Sequence, residues 1–374
     1  MFRINRRDFG LAAMGLVGAG LARPLAGWAG ATTPDETERR GSLTDVPGMR
    51  LGHYTDTRRP TGCTAILFDG EATAAVDYDG SAPGSYLGAM LKPVSPVTNI
   101  HAMLLTGGSL MGLPAVAGVV RFMEERKIGF NWGTPEVPIP ITVGAVIADL
   151  EVGDPHVRPD AEAAYKACLA ASTAPVEEGN VGVGAGGSVG KMLLYHGYGG
   201  MKGGLGTASV RLGDVVIGAL IVLNSVGDIL DWRTAKIIAG ARRPDGKGFA
   251  NIAETLKKLS EDETQAAVKV HDPALMSTTL VVVATNASFI RVELAKIAMM
   301  ASTGAARAIN PYHTNGDGDS TFALSTNKLK SDLSVSVVGA LAAEAVSEAA
   351  MRAVKAAKSI EGWPAYRDYT AKLS

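Results

Sequence analysis

The apolar positions fall in short runs separated by Gly, Asp and Pro, a texture that predicts many strands and a few helices. Thr64–Phe68 and Ala72–Val76 read as neighbouring strands with a turn at Asp69-Gly70. His101–Leu105 and Ala145–Leu150 read as further strands, and Val215–Leu223 as a buried strand ending at Asn224. Helices are expected over Leu113–Glu125 and Asp160–Ala171, the second opening on acidic residues where the helix dipole favours them. From Arg242 to Asp272 the chain turns polar, with one helical patch near Ile252–Leu259.

Then the texture changes. Thr279–Thr285 is a β-branched run suited to a strand buried on both faces. A helix over Ser288–Ser302, a strand near Ala305–Ile309, a strand over Ser320–Ser325 and an Ala-rich helix over Val335–Lys358 complete the pattern. Strands and helices mix without tandem repeats or regular βαβ spacing, so the expected class is α+β with stacked layers.

Composition sharpens this picture. Of the 374 residues 47% are hydrophobic, enough for a well-buried core, and only 6% are aromatic, which favours closely packed layers. The net charge is −1 and no basic stripe occurs, which argues against nucleic-acid binding. Two cysteines, Cys63 and Cys168, are too few for a disulfide framework and read as buried thiols, with a single bridge as the alternative in an oxidising compartment. Asn5-Arg6-Arg7-Asp8-Phe9-Gly10, the apolar stretch Leu11–Leu21 and Ala29-Gly30-Ala31 read as a twin-arginine export signal. On this reading residues 1–31 are removed and 32–374 form a single periplasmic or secreted domain with no membrane attachment. The removed segment carries Arg3, Arg6, Arg7 and Arg23 against Asp8, a net +3, so the charge falls from −1 to −4.

Four local features carry candidate chemistry. A polar segment enters a buried strand through Ser277-Thr278-Thr279. A hydroxyl there can attack the preceding carbonyl and, after cleavage, use its own α-amine as a base. Asp317-Gly318-Asp319 places two carboxylates on a tight loop. Lys202 is flanked by glycines within Gly199–Gly206, and Asn224 ends an apolar strand where it could donate to an oxyanion. Taken singly, these equally fit a strand start, a solvated turn, a glycine-rich surface loop and a turn cap.

Together, and with Thr61–Thr64, Gly80–Gly84, Leu104–Ser109, Gly179–Gly184, Gly190-Lys191 and Val282–Thr285, the chain resembles one family. It is the group of L-aminopeptidase/D-esterases, β-peptidyl aminopeptidases and 6-aminohexanoate-oligomer hydrolases. The resemblance implies a four-layer αββα sandwich, commonly in homotetramers, that cuts itself into fragments 32–277 and 278–374. It implies Thr278 as the N-terminal nucleophile, Asp317 and Asp319 beside it, Lys202 in the catalytic cluster and Asn224 at the oxyanion. The implied substrates are small peptides, amino-acid amides, and β- or ω-amino-acid oligomers. Ser277 stands where the family usually has Gly or Asn, which leaves Ser277 and Thr279 open as attacking residues. Asn286 stands where it usually has Asp, a change expected to alter a local hydrogen bond and not the chemistry.

Other signals are weaker. Gly182–Gly187 fits a dinucleotide fingerprint only formally, and Gly190-Lys191 lacks the remaining P-loop residues. The six histidines show no metal-ligand spacing, and the Asp-Gly-Asp loop lacks the distal Glu of a Ca²⁺ loop. No cofactor and no metal are expected. Ornithine acetyltransferases share the scaffold and use an autocleaved Thr, but an export signal argues against that biosynthetic role. A non-catalytic binding protein on the same fold is the other alternative.

Overall fold

The computed structural model describes residues 41–133, 136–259 and 277–372. The export signal and the far end of the polar excursion, 260–276, lie outside the described residues. The strands are β1 (Met49–Thr55), β2 (Gly62–Tyr78), β3 (Asn99–Thr106), β4 (Thr142–Val146), β5 (Gly204–Leu212), β6 (Val215–Leu223), β7 (Leu280–Ala287) and β8 (Ser320–Leu329). The main helices are α1 (Val116–Glu125), α2 (Ala161–Leu169), α3 (Arg291–Ala308) and α4 (Val335–Ala356).

Hydrogen bonding runs β4-β3-β2-β8-β7-β6-β5, with β1 also on β2. The long β2 joins two layers, its first half pairing with β1 and β3 and its second half with β8. The two strands expected over Thr64–Val76 are therefore one. Its pairing with β3 slips between Leu67 and Ala72, and Asp69, Gly70 and Glu71 stand exposed at the slip. Gly70 takes φ +103° there, so Asp69-Gly70 bends a continuous strand and does not close a hairpin.

Side-chain alternation sorts the core into three interfaces. Cys63, Ala65 and Leu67 of β2, with Ala102 and Leu104 of β3, face α1 and α2. Ile66, Met103 and Leu105 point the other way and meet Leu220, Val222, Leu280, Val282 and Phe322. Ile217, Ala219, Ile221, Val281 and Val283 turn outward to α3 and α4. Three interfaces make four layers, helix on sheet on sheet on helix, as the resemblance implied.

The Ala and Gly content has a packing reason. A Cβ on Gly206 would strike the backbone of α4 at Ala349, and one on Gly304 would strike Ala343, so only glycine permits these approaches. Both cysteines are free and buried. Several expected bounds shift. Thr142–Val146 replaces the strand expected from Ala145, and a 3-10 segment, Ser109–Ala115, precedes α1. Helix α3 absorbs Ala305–Ala308 because Ala301, Ala305 and Ala308 continue its buried stripe.

Candidate active site

Strand register sets the site. β7 runs antiparallel to β6, with Leu280 opposite Val222, and parallel to β8, with Leu280 opposite Ser320. Two residues back along the chain, Thr278 therefore lies between Asn224 and Gly318. The hydrogen bonds agree: Thr278 N–H donates to the Asn224 carbonyl at 2.8 Å, and Gly318 N–H donates to the Ser277 carbonyl at 2.8 Å. Thr278 is 6% exposed. Its hydroxyl lies so close to Gly318 that a Cβ there would come within 2.7 Å of Oγ1.

The two aspartates frame this segment and are buried. Asp319 Oδ1 accepts the Thr279 N–H at 2.6 Å. Asp317 Oδ2 accepts from the Thr314 hydroxyl at 2.8 Å, while its Oδ1 has no hydrogen-bond partner among the described residues. Burial, then the Asp319 charge, pushes the Asp317 carboxyl up to about 7. Asp317 is therefore poised to hold a proton up to near neutrality. Backbone bonds from Gly80 to Asp319 and from Ala82 to Asp317 fasten the Gly80–Gly84 loop over it.

Asn224 is gripped from several sides. Its Oδ1 accepts from Lys191 Nζ at 2.9 Å and from Ser188 N–H at 3.2 Å, and its Nδ2 donates to the Ala148 carbonyl at 2.7 Å. Lys191 Nζ also pairs with Glu151 at 2.9 Å, its own side chain fully buried. Because both Lys191 and Ser188 are donors, the carboxamide oxygen must face them.

The structure thus brings together Thr278, Asn224, Asp317 and Asp319. It does not bring Lys202 into hydrogen-bond contact with them. Lys202 Nζ donates to the Gly184, Gly187 and Gly203 carbonyls at 3.0, 2.6 and 3.3 Å. Burial lowers its ammonium to about 7, opposed by the charge of Asp149. The lysine that contacts the cluster is Lys191, which the sequence marked as part of the family resemblance and of a failed P-loop pattern, with no catalytic role. Glu151 and Ser188 carried no sequence signal. Asn286 accepts from Val216 N–H and donates to the Asp214 carbonyl, and the second bond needs an amide where an Asp carboxylate could not serve.

No group of His, Cys, Asp and Glu among the described residues is arranged to hold a metal ion. No helix among them is long and apolar enough to cross a membrane.

Comparison with known proteins places this geometry. The profile of Peptidase family S58 matches residues 41–366. An uncharacterized aminopeptidase of Mycobacterium leprae is 36% identical, over 87% of this chain and 93% of its own. A 6-aminohexanoate-oligomer endohydrolase of Kocuria sp. is 30% identical, over 83% of this chain and 85% of its own. The L-aminopeptidase D-Ala-esterase/amidase of Ochrobactrum anthropi, described as a variant of the Ntn-hydrolase fold, superposes with a TM-score of 0.59. Its identity is 21%, over 85% of this chain and 87% of that one, a likeness of fold. By the span of the family match and the identity of these relatives, the chain belongs to peptidase family S58 and is a hydrolase.

Proposed function

We propose that this chain is a self-processing amide hydrolase of the aminopeptidase type, with Thr278 as its nucleophile. The observation that carries the reading is the register that sets Thr278 between Asn224 and Gly318, beside two buried carboxylates.

In the intact chain the Ser277 carbonyl accepts the Gly318 N–H, which polarises the bond that Thr278 Oγ1 must attack. Attack moves the acyl group from nitrogen to oxygen. Water then hydrolyses the ester, leaving a carboxylate on Ser277 and an α-amine on Thr278. The freed amine stays beside the Asn224 carbonyl that now accepts the Thr278 N–H. It takes the hydroxyl proton during attack on a substrate amide, and its ordinary pKa near 8 suits that task. Asn224 spends one amide hydrogen on Ala148 and keeps the other for an oxyanion, while Asp317, with a free carboxyl oxygen, receives a substrate or terminal amine.

Substrates on this reading are small peptides, amino-acid amides, and β- or ω-amino-acid oligomers. The relatives named for aminopeptidase and 6-aminohexanoate-oligomer hydrolysis support that range. Export by the twin-arginine route, a periplasmic site of action and assembly into tetramers belong to the same proposal.

Intact-mass spectrometry of wild type and Thr278→Ala tests it. A new N-terminus at Thr278 in the wild type, with a single chain in the variant, is the expected result. An uncut wild type sinks the mechanism and favours a binding protein on this fold.

A further inference from the structure

Behind the Asp317–Asp319 loop lies a polar cluster that this chemistry leaves unused. At its centre is His313, held in a left-handed backbone conformation at φ +57°. Its Nε2 is hydrogen-bonded to Ser302 Oγ at 2.9 Å and lies 3.6 Å from Asp79 Oδ2. Its Nδ1 lies 3.3 Å from Asp319 Oδ2, which also accepts the His313 backbone N–H at 3.1 Å. The other oxygen of Asp319 holds the Thr279 N–H, one residue from the nucleophile. One carboxylate therefore links the imidazole to the start of β7.

The surroundings are strongly acidic. Asp77 lies beside Asp79, and burial together with the Asp79 charge pushes its carboxyl up to about 6. The Tyr312 ring stacks on the imidazole at 3.7 Å, and its buried hydroxyl has no partner among the described residues. Burial and the charges of Asp319, Asp79, Asp317 and Asp77 hold that phenol well above its ordinary range. The ammonium groups of Lys191 and Lys296 act from further off, on Asp317 and Asp77 respectively. Among the described residues, His313 is the basic side chain within ion-pair distance of Asp319, its Nδ1 facing that carboxyl without a hydrogen bond.

We infer that His313 is a positioning residue for Thr278 chemistry: its ring, set between Asp79 and Asp319, keeps the Asp319 carboxyl aimed at the Thr279 N–H. Of the two aspartates, Asp317 is then the one left to carry a proton, its Oδ1 buried without a partner among the described residues. A side chain at 313 with no basic group leaves two buried carboxylates to compete for that proton. The inference rests on the reading of Thr278 as nucleophile.

The test compares wild type with His313→Gln and His313→Lys. Self-cleavage is read by intact mass. The pH dependence of kcat/KM is read with the 4-nitroanilides of alanine, β-alanine and 6-aminohexanoate. Loss of a basic group raises a neighbouring carboxyl, so in His313→Gln the acid limb moves up by about one pH unit while KM changes little. His313→Lys, which restores a basic group, returns the limb toward wild type. Thermal unfolding reports folding separately. If the Gln variant does not fold, Ser302→Ala, which removes one bond to Nε2, gives a smaller shift in the same direction. A folded Gln variant that cuts fully and keeps the wild-type profile overturns the inference and leaves the nucleophile standing. A wild type that stays uncut and hydrolyses none of the three amides overturns both.

Discussion

Lys191 Nζ donates to the Asn224 carboxamide oxygen at 2.9 Å, from a position fully buried against Glu151. Through Asn224 this ammonium reaches the residue whose backbone carbonyl holds the Thr278 N–H. Its charge also stabilises the ionised form of Asp317. Lys202 sits apart, on three glycine carbonyls. The two buried lysines therefore differ in what their loss removes.

Lys191→Met should stall self-cleavage and lower kcat/KM by about 100-fold or more, because Asn224 loses its orientation and Glu151 its partner. Lys202→Met should instead act on stability. It strands three carbonyls at a cost of about 1–3 kcal/mol, while the mature fraction keeps kcat within about tenfold. Intact mass, amide hydrolysis and urea unfolding of both variants separate the two roles. Equal losses of turnover in both would contradict the division.

Gly318 has a steric duty that no other residue can meet. A Cβ there would lie 2.7 Å from Thr278 Oγ1 and 2.5 Å from the Ala82 carbonyl. Gly318→Ala should therefore leave a chain that folds, destabilised by about 1–3 kcal/mol, yet remains a single uncut polypeptide. Mass and unfolding measurements on one preparation read both effects. Normal cutting in the variant would mean that the hydroxyl approaches its target from another side.

Asp317 gives a pH signature in the fold itself. Its carboxyl stands at about 7 in the folded chain, against an ordinary value of 3.8. Between these values the folded state binds more protons than the unfolded, so stability falls as pH rises through that window. The contribution is fully present below about pH 4 and is lost above about pH 7. In an uncut Thr278→Ala background, Asp317→Asn should thus stabilise on the order of 2 kcal/mol more at pH 8 than at pH 4. Melting curves across that range check the sign. A constant difference would mean that Asp319, not Asp317, carries the proton.

The parts of the site that sequence exposed are those fixed by strand ends. Val215–Leu223 and Thr279–Thr285 are unbroken apolar runs, so the polar residues at their margins, Asn224 and Thr278, stand out. Once β6, β7 and β8 pair, the register alone gathers Asn224, Thr278 and Gly318. The choice between Lys191 and Lys202 had no such guide. Both lie among glycines, and only the pairing of Ser188 with Lys202 turns the latter away from Asn224. His313 was set aside for want of metal-ligand spacing, a test that cannot detect an imidazole acting on a carboxylate. The bend of β2 is not legible in the sequence because Asp-Gly marks a hairpin and a bend equally well, and only the partners β3 and β8 decide.

Ser277 offers a test of the proposal that Thr278 is the attacking residue. Its backbone carbonyl is held by Gly318, while its own hydroxyl and that of Thr279 are buried without hydrogen-bond partners among the described residues. If Thr278 is the nucleophile, the bond is positioned by main chain and the Ser277 side chain should be dispensable. Ser277→Ala should cut at the same bond, at a rate within about threefold of wild type, with a stability change of about 1 kcal/mol or less. Thr279→Ala should behave similarly, because Asp319 holds its N–H and not its hydroxyl. N-terminal sequencing of the small fragment from each variant reads the outcome. Abolition of cutting by Ser277→Ala alone would transfer the nucleophile to Ser277 and move the new terminus one residue upstream.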